Sequence, residues 1–295
     1  MSHLKLWAIN SNKMICDKET NTLYLSDCLQ TKQPVFFQRF TSLLEQQGIV
    51  PKFIPQTRDI WAVDFMPVQL REDNFVQFVY NPDYLQAKKW VKTIPDMDLI
   101  CQEIGINPIK SDIVIDGGNV VKSRSKVILC DKIFKENPHY ERKALLRKLY
   151  EIFEAEQIIL VPQQLHDFTG HADGMIRFLD ENSVIVNDSS KEKEYFQRTF
   201  KIALDNARLE YIEIPFNPYG NKKYSQANGD YINFLEMEKH IFLPIFGLPE
   251  DDLVLKQFQQ LFPTKKIVPV DSNEIADEGG VLNCISWNVN FKKNF

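Results

Sequence analysis

The stretch Thr169-Gly170-His171-Ala172-Asp173-Gly174-Met175-Ile176-Arg177-Phe178 sets an imidazole and a carboxylate two residues apart, where a loop runs into an apolar strand. Positions i and i+2 of a strand share a face. If pairing begins by Gly170, His171 and Asp173 therefore point the same way, beyond the strand that anchors them. Such a pair offers proton transfer or metal ligation. Ligation is set aside because no further His or Cys lies at ligand spacing, and no metal is expected. The bland alternative is a surface histidine beside a surface aspartate.

Three other places repeat the same local pattern, a polar or glycine-rich turn opening an apolar strand, and each adds a reactive group. Asp64 follows Trp61-Ala62-Val63 at the head of Phe65-Met66-Pro67. Asp116-Gly117-Gly118-Asn119 puts two glycines inside a Val/Ile-rich run, where they weaken a strand but permit close approach of a ligand or another backbone. A structural bulge is the alternative there. Gly279-Gly280-Val281-Leu282-Asn283-Cys284-Ile285-Ser286-Trp287 supplies a thiol. A cysteine among apolar neighbours is usually inert core, but the double glycine and the polar Asn283 and Ser286 point to an accessible strand. Cys16, Cys28, Cys101 and Cys130 lack such companions and are read as core.

The elements that must position these groups recur. Ile113 to Val121 and Lys126 to Cys130 read as strands. Tyr140, Ala144, Leu145, Leu149, Ile152 and Phe153 then fall at helical spacing, and Ile158 to Val161 reads as a strand. The order returns as Met175 to Leu179, Val184 to Val186, a helix with Tyr195, Phe196, Phe200 and Ile202, and Leu209 to Ile214. It returns again as Tyr231 to Leu235, Ile241 to Phe246, a helix near Pro249 with Leu253, Phe258 and Leu261 on one side, and Lys266 to Val270. Earlier, Leu23 to Leu25, a stripe of Phe36, Phe37, Phe40, Leu43 and Leu44 ended by Gly48, and Val50 to Ile54 fit more loosely. Phe65 to Leu70 and Phe75 to Tyr80 make a hairpin, and Asn81 to Pro95 reads as loop or irregular helix. About five units of roughly 45 to 55 residues imply a propeller or another closed array. The last strand, Val281 to Trp287, has no helix after it and is expected to complete the first unit. No Pro-, Gly- or Ser-rich linker interrupts the pattern, so residues 1–295 are expected to form a single domain.

The net charge of −5 on 295 residues shows no basic stripe, which argues against nucleic-acid binding. Met1-Ser2-His3-Leu4-Lys5-Leu6-Trp7 lacks the apolar run of a signal peptide, and no stretch reaches membrane-spanning length. Five scattered cysteines suit free thiols in a reducing compartment. A cytoplasmic protein is expected, and a homo-oligomer is left open. His139, His166 and His240 are read as surface or satisfied histidines, and Lys191-Glu192-Lys193-Glu194 as a solvated helix start.

From about Asp59 to Trp287 the chain resembles the agmatine deiminase and bacterial-type (Porphyromonas-type) peptidylarginine deiminase family of guanidine-modifying enzymes. The marks are Trp61-Ala62-Val63-Asp64, Asp116-Gly117-Gly118-Asn119, Gly170-His171-Ala172-Asp173 with Arg177-Phe178, Tyr231-Ile232-Asn233-Phe234, Pro244-Ile245-Phe246-Gly247 and Gly279-Gly280 leading to Cys284. The resemblance implies an α/β fold, the five-bladed α/β-propeller or pentein, with ββαβ units about a pseudo-fivefold axis. It implies Cys284 as nucleophile, His171 as general acid/base, and Asp64 and Asp173 as the carboxylates that hold a guanidinium. Asp116 would position or tune the histidine or substrate, and Trp61 and Asn119 would contact the substrate. The activity implied is hydrolysis of a small guanidino compound such as agmatine to a ureido product and ammonia, without a cofactor. A free-arginine or peptidyl-arginine deiminase, an amidinotransferase and a non-catalytic binding propeller are the alternatives. Val63, Asp116 and Asn283 stand where relatives often carry arginine, glutamate and histidine, which leaves substrate choice open.

Overall fold

In the computed structural model of the chain, residues 13–165 and 167–291 are described, and His166 and the opening segment Met1–Trp7 lie outside them. The described residues form five three-stranded sheets. The first sheet takes strands from both ends of the chain. β1 (Thr22–Ser26) runs parallel to β2 (Lys52–Ile54), and its other edge pairs antiparallel with β15 (Ser286–Val289), from Thr22 opposite Val289 to Leu25 opposite Ser286. The expectation that the last strand closes the ring onto the first unit is met.

A parallel neighbour requires a crossover, and here helix α1 (Pro34–Gln46) supplies it. Pro34 sits in the first turn, where its missing N–H costs nothing. Phe36, Phe40 and Leu44 follow at intervals of one turn and are fully buried, whereas Phe37 and Leu43 are half-buried on the flank. The chain leaves the helix at Gly48 with φ of +73°, a left-handed conformation that favours glycine. Phe40 stacks on Phe36 at 5.3 Å and meets Phe242 edge-on at 5.9 Å, tying this unit to the fifth.

The same scheme repeats four times. The second unit has β3 (Val68–Arg71), β4 (Asn74–Val79), α2 (Met97–Ile104) and β5 (Ile109–Val114). The third has β6 (Val121–Lys122), β7 (Lys126–Cys130), α3 (Arg142–Phe153) and β8 (Gln157–Val161). The fourth has β9 (Ile176–Phe178), β10 (Ser183–Asn187), α4 (Glu194–Ala207) and β11 (Glu210–Ile214). The fifth has β12 (Leu235–Glu236), β13 (His240–Ile245), α5 (Asp251–Leu261) and β14 (Lys266–Asp271). In each, the first two strands are antiparallel and the third lies parallel to the second beyond its helix. This is the five-bladed α/β propeller. Among the described residues no helix is long and apolar enough to cross a membrane.

Several sequence expectations are corrected. Ile113 to Val121 is not one strand: β5 ends at Val114, Gly117–Asn119 forms a 3₁₀ turn, and β6 belongs to the next blade. A Cβ on Gly117 would lie 1.9 Å from the carbonyl oxygen of Val63, so the glycine lets two backbones touch. Phe65 belongs to a short helix, Ala62–Phe65, rather than to the hairpin. His171 caps a 3₁₀ turn, Ala172–Gly174, and Asp173 lies within it, instead of the two sharing a strand face. Only Leu235 of the expected Tyr231 to Leu235 strand is paired. Val281 to Ile285 is turn, and pairing starts at Ser286. The common cause is that each blade enters the axis through a tight turn made of residues as apolar as a strand.

The helical stripes are also displaced. Tyr195 is 78% exposed and Ile202 lies outside, because α4 buries Phe196, Phe200, Leu204 and Ala207; likewise α5 buries Val254 and Phe258 and leaves Leu253 exposed. Glu192 is buried, accepting a hydrogen bond from Gln164 Nε2 at 3.3 Å, so Lys191 to Glu194 is not wholly solvated. Cys28 is only half-buried, while Cys16, Cys101 and Cys130 are core. Asn81 to Pro95 holds two 3₁₀ turns, Asp83–Leu85 and Val91–Thr93.

Candidate active site

The turns that break the strands converge on a cavity of about 440 Å³. Its wall includes Trp61, Asp64, Tyr84, His171, Asp173 and Cys284, contributed by segments more than two hundred residues apart in sequence. Each arrives by its own local device. The carbonyl oxygen of Cys284 accepts a hydrogen bond from Val63 N at 3.2 Å, which ties the nucleophile's turn to the short helix bearing Asp64. Asn233 grips the same turn twice: its Oδ1 accepts from Cys284 N at 3.2 Å and its backbone oxygen from Asn283 N at 3.1 Å. Gly280 packs under Trp61, and a Cβ there would lie 2.6 Å from the indole.

His171 is held between two carboxylates. Its Nε2 lies 2.8 Å from Asp116 Oδ2 and its Nδ1 3.4 Å from Asp64 Oδ1. Asp167 shapes the preceding loop, accepting from His171 N at 2.8 Å and Thr169 N at 2.7 Å. Gly118 lets the wall close on the pair: its N–H donates to Asp64 Oδ1 at 3.2 Å, and a Cβ would lie 2.7 Å from His171 Nδ1. Behind the ring, Lys132 Nζ lies 3.1 Å from Asp116 Oδ2 and 3.1 Å from Glu136 Oε1, and donates to Thr169 O at 2.5 Å. The ammonium thus saturates its three donors in a buried setting. Across the cavity, Asn283 Nδ2 donates to Asp173 Oδ2 at 2.6 Å, while Asp173 Oδ1 is buried with no partner among the described residues.

Burial opposes charge on the imidazole, but Asp64 and the bond to Asp116 outweigh it and raise His171 to about 9. Burial, against the pull of His171, raises Asp64 to about 8 and moves Asp173 upward. Asp116 goes the other way: burial is overcome by its bonds to His171 and Lys132, so it keeps its charge and forms the ion pair with the imidazolium. Burial, then Asp173 and Asp64, push the Cys284 thiol well above its ordinary range. The residues around the sulfur therefore disfavour a thiolate, and a cation between the two aspartates would reverse that.

Of the residues expected from the sequence, Cys284, His171, Asp64, Asp173 and Trp61 meet on this cavity. Asp116 lies behind the histidine, fully buried. Asn119 is placed elsewhere, correcting the expected substrate contact: its Oδ1 accepts from Cys130 N at 2.7 Å and it does not border the cavity. Lys132, Tyr84 and Asp167 escaped sequence reasoning, since a lysine and a carboxylate 16 positions apart carry no local signal of pairing. Asn233 carried one, as the polar position in an otherwise apolar Tyr-Ile-Asn-Phe run.

Known proteins resemble this chain in sequence and in fold. A protein of Streptococcus mutans provisionally named agmatine deiminase is 25% identical over 248 residues, a match covering 71% of this chain and 63% of that relative, less than two thirds of its length. Among solved structures, the C. jejuni agmatine deiminase superposes with a TM-score of 0.78 at 20% identity, covering 95% of this chain and 96% of that one. The agmatine deiminase of Enterococcus faecalis gives 0.76 at 16% identity, covering 95% and 96%. The model of the Porphyromonas-type peptidyl-arginine deiminases matches residues 9–289. With its five blades and the convergence of its turns on a shared cavity, the chain belongs to the Porphyromonas-type peptidyl-arginine deiminase family.

Proposed function

We propose that this chain, acting as one catalytic domain, is a cysteine-dependent hydrolase of a guanidino compound, agmatine above all, releasing a ureido product and ammonia. The observation that carries the reading is the meeting of Cys284, His171, Asp64 and Asp173 on one cavity. Relatives and superposable structures named as agmatine deiminases support agmatine as the substrate.

A guanidinium is a flat cation with N–H groups along its edges, which two carboxylates can grip while its carbon faces a sulfur. Burial and the neighbouring acids suppress ionisation of Cys284; a guanidinium seated between Asp64 and Asp173 favours the charged form of those acids and places positive charge beside the sulfur, so the thiol loses its proton to solvent as substrate binds. The sulfur attacks the guanidinium carbon. His171, charged at neutral pH, gives its proton to the departing nitrogen; the C–N bond breaks, ammonia leaves and a thiouronium remains. The neutral imidazole then takes a proton from water and hydroxide adds to the carbon; cleavage of the C–S bond returns the thiolate, and the added hydroxyl loses its remaining proton to solvent to give the neutral ureido group of the product. Lys132 and Asp116 hold the ring throughout.

The test offers agmatine, free arginine and an arginyl peptide to the pure protein and measures ammonia and ureido product. Agmatine turnover is expected, with none after Cys284→Ala. Product from none of the three, or undiminished product from the alanine variant, would overturn the proposal. Dependence of product on an added amine would assign amidino transfer instead.

A further inference from the structure

We infer that Asp230 forms a second cation subsite in the same cavity, so that the substrate is a guanidine carrying another positive charge a short alkyl chain away. The inference rests on the guanidine-hydrolase reading above and names the residue that sets its specificity.

Lys223 is the single lysine on the wall, and no arginine lines it among the described residues. Most of the acids facing it are already engaged. Asp64 and Asp173 would take the guanidinium, Asp59 is paired with Lys32 at 3.0 Å, and Asp167 accepts from the loop N–H groups. Asp277 accepts from Gln226 at 2.7 Å, and Glu278 is exposed at the rim. Asp230 differs from all of them. One oxygen, Oδ1, is fixed by the N–H groups of Ile232 at 3.1 Å and Asn233 at 3.3 Å, which hold the side chain rigidly in the wall. The other, Oδ2, receives no hydrogen bond from a described residue and lies 3.0 Å from the position a Cβ of Gly174 would take. A side chain at 174 would crowd it.

Gly174 is the residue after Asp173, and consecutive Cα atoms are about 3.8 Å apart. The free oxygen of Asp230 therefore lies beside the backbone that carries Asp173, and Asp64, Asp173 and Asp230 all line the same cavity. Burial, then the charge of Asp173, push the Asp230 carboxyl well above its usual range, as for an acid facing another with no cation between them. With a guanidinium seated on Asp64 and Asp173, the donor that reaches Asp230 belongs to the rest of the substrate. An ammonium satisfies that position; the carboxylate of an amino acid would be repelled by it.

The test compares agmatine with butylguanidine, which keeps the guanidinium and four-carbon chain but lacks the ammonium. Asp230→Asn removes the charge yet retains an oxygen for the Ile232 and Asn233 N–H groups, and Asp230→Ser is read the same way should the asparagine variant not fold. The natural protein is expected to favour agmatine in kcat/KM by at least about tenfold, and the variant to lose about ten- to hundredfold of that preference, mainly through KM. Calorimetric binding of both ligands to the Cys284→Ala protein, with and without Asp230→Asn, reads the same preference without turnover. An unchanged agmatine-to-butylguanidine ratio in the variant, or equal binding of both by the natural sequence, would overturn the subsite. Failure of the hydrolase reading is distinct: neither compound hydrolysed, with the binding preference still dependent on Asp230.

Discussion

Replacing Asp64 by asparagine exposes the electrostatic cost of burying an acid in the cavity wall. Its carboxyl is raised to about 8, chiefly by burial. In the unfolded chain it titrates near the ordinary aspartate value, about 3.9. Between those values the folded protein holds a proton that the unfolded chain has released, so stability falls as pH rises, by about 1.4 kcal/mol per pH unit. From about pH 4.5 to about pH 6 the loss traceable to Asp64 is roughly 2 kcal/mol. His171 adds little in this window, because it is protonated both when folded, with its value at about 9, and when unfolded. Asp64→Asn removes the titration. Its unfolding free energy should therefore decline less than that of the natural protein by roughly 2 kcal/mol over the same interval, while deiminase activity disappears. Urea unfolding followed by tryptophan fluorescence at the two pH values measures this. Guanidinium chloride is unsuitable, since its cation is a fragment of the expected substrate. Parallel decline of both proteins would show that Asp64 is already ionised in the free protein, and would refute the argument that burial holds its carboxyl protonated.

Two further outcomes follow from the same geometry. Chloroacetamidine, a cationic electrophile, should alkylate Cys284 at least about tenfold faster than neutral chloroacetamide at neutral pH, because only the former offsets the aspartates; equal rates at that residue by mass spectrometry would contradict this. Gly118→Ala would bring a methyl within 2.6 Å of Asp64 Oδ1 and 2.7 Å of His171 Nδ1. It should lower kcat by about a hundredfold with little change in melting temperature, and full activity would refute the close packing of that wall.

The repeat was legible in the chain because its helices obey a simple rule: Phe36, Phe40 and Leu44, or Leu145 and Leu149, recur at one-turn spacing and are buried. The reactive residues were legible because glycine pairs and lone polar residues interrupt apolar runs at Asp116, His171 and Cys284. The turns themselves were not. Tyr231 to Phe234 and Val281 to Ile285 are enclosed on all sides at the axis, so their apolar character is that of a buried strand although the backbone is folded back on itself. Tyr195 and Leu253 misled because an amphipathic stripe shifted by one residue leaves much the same pattern. Lys132 could not be foreseen, since lysine is ordinarily exposed and its need for burial arises only when Asp116 from the preceding segment lies beside it. The departures noted at Asp116 and Asn283 acquire reasons in the fold: the former is braced by Lys132, and the latter anchors Asp173.

The pairing of β15 with β1 also governs when the reactive centre can exist. Cys284 lies two residues ahead of the strand that seals the ring, and Asn233 and Val63, which clamp its turn, belong to other blades. Contacts of such long sequence separation form late in folding. Loss of the β15–β1 pairing, by a cut ahead of Ser286, would therefore free the turn that seats Cys284 against Asn233 and Val63 and take the sulfur out of the cavity wall.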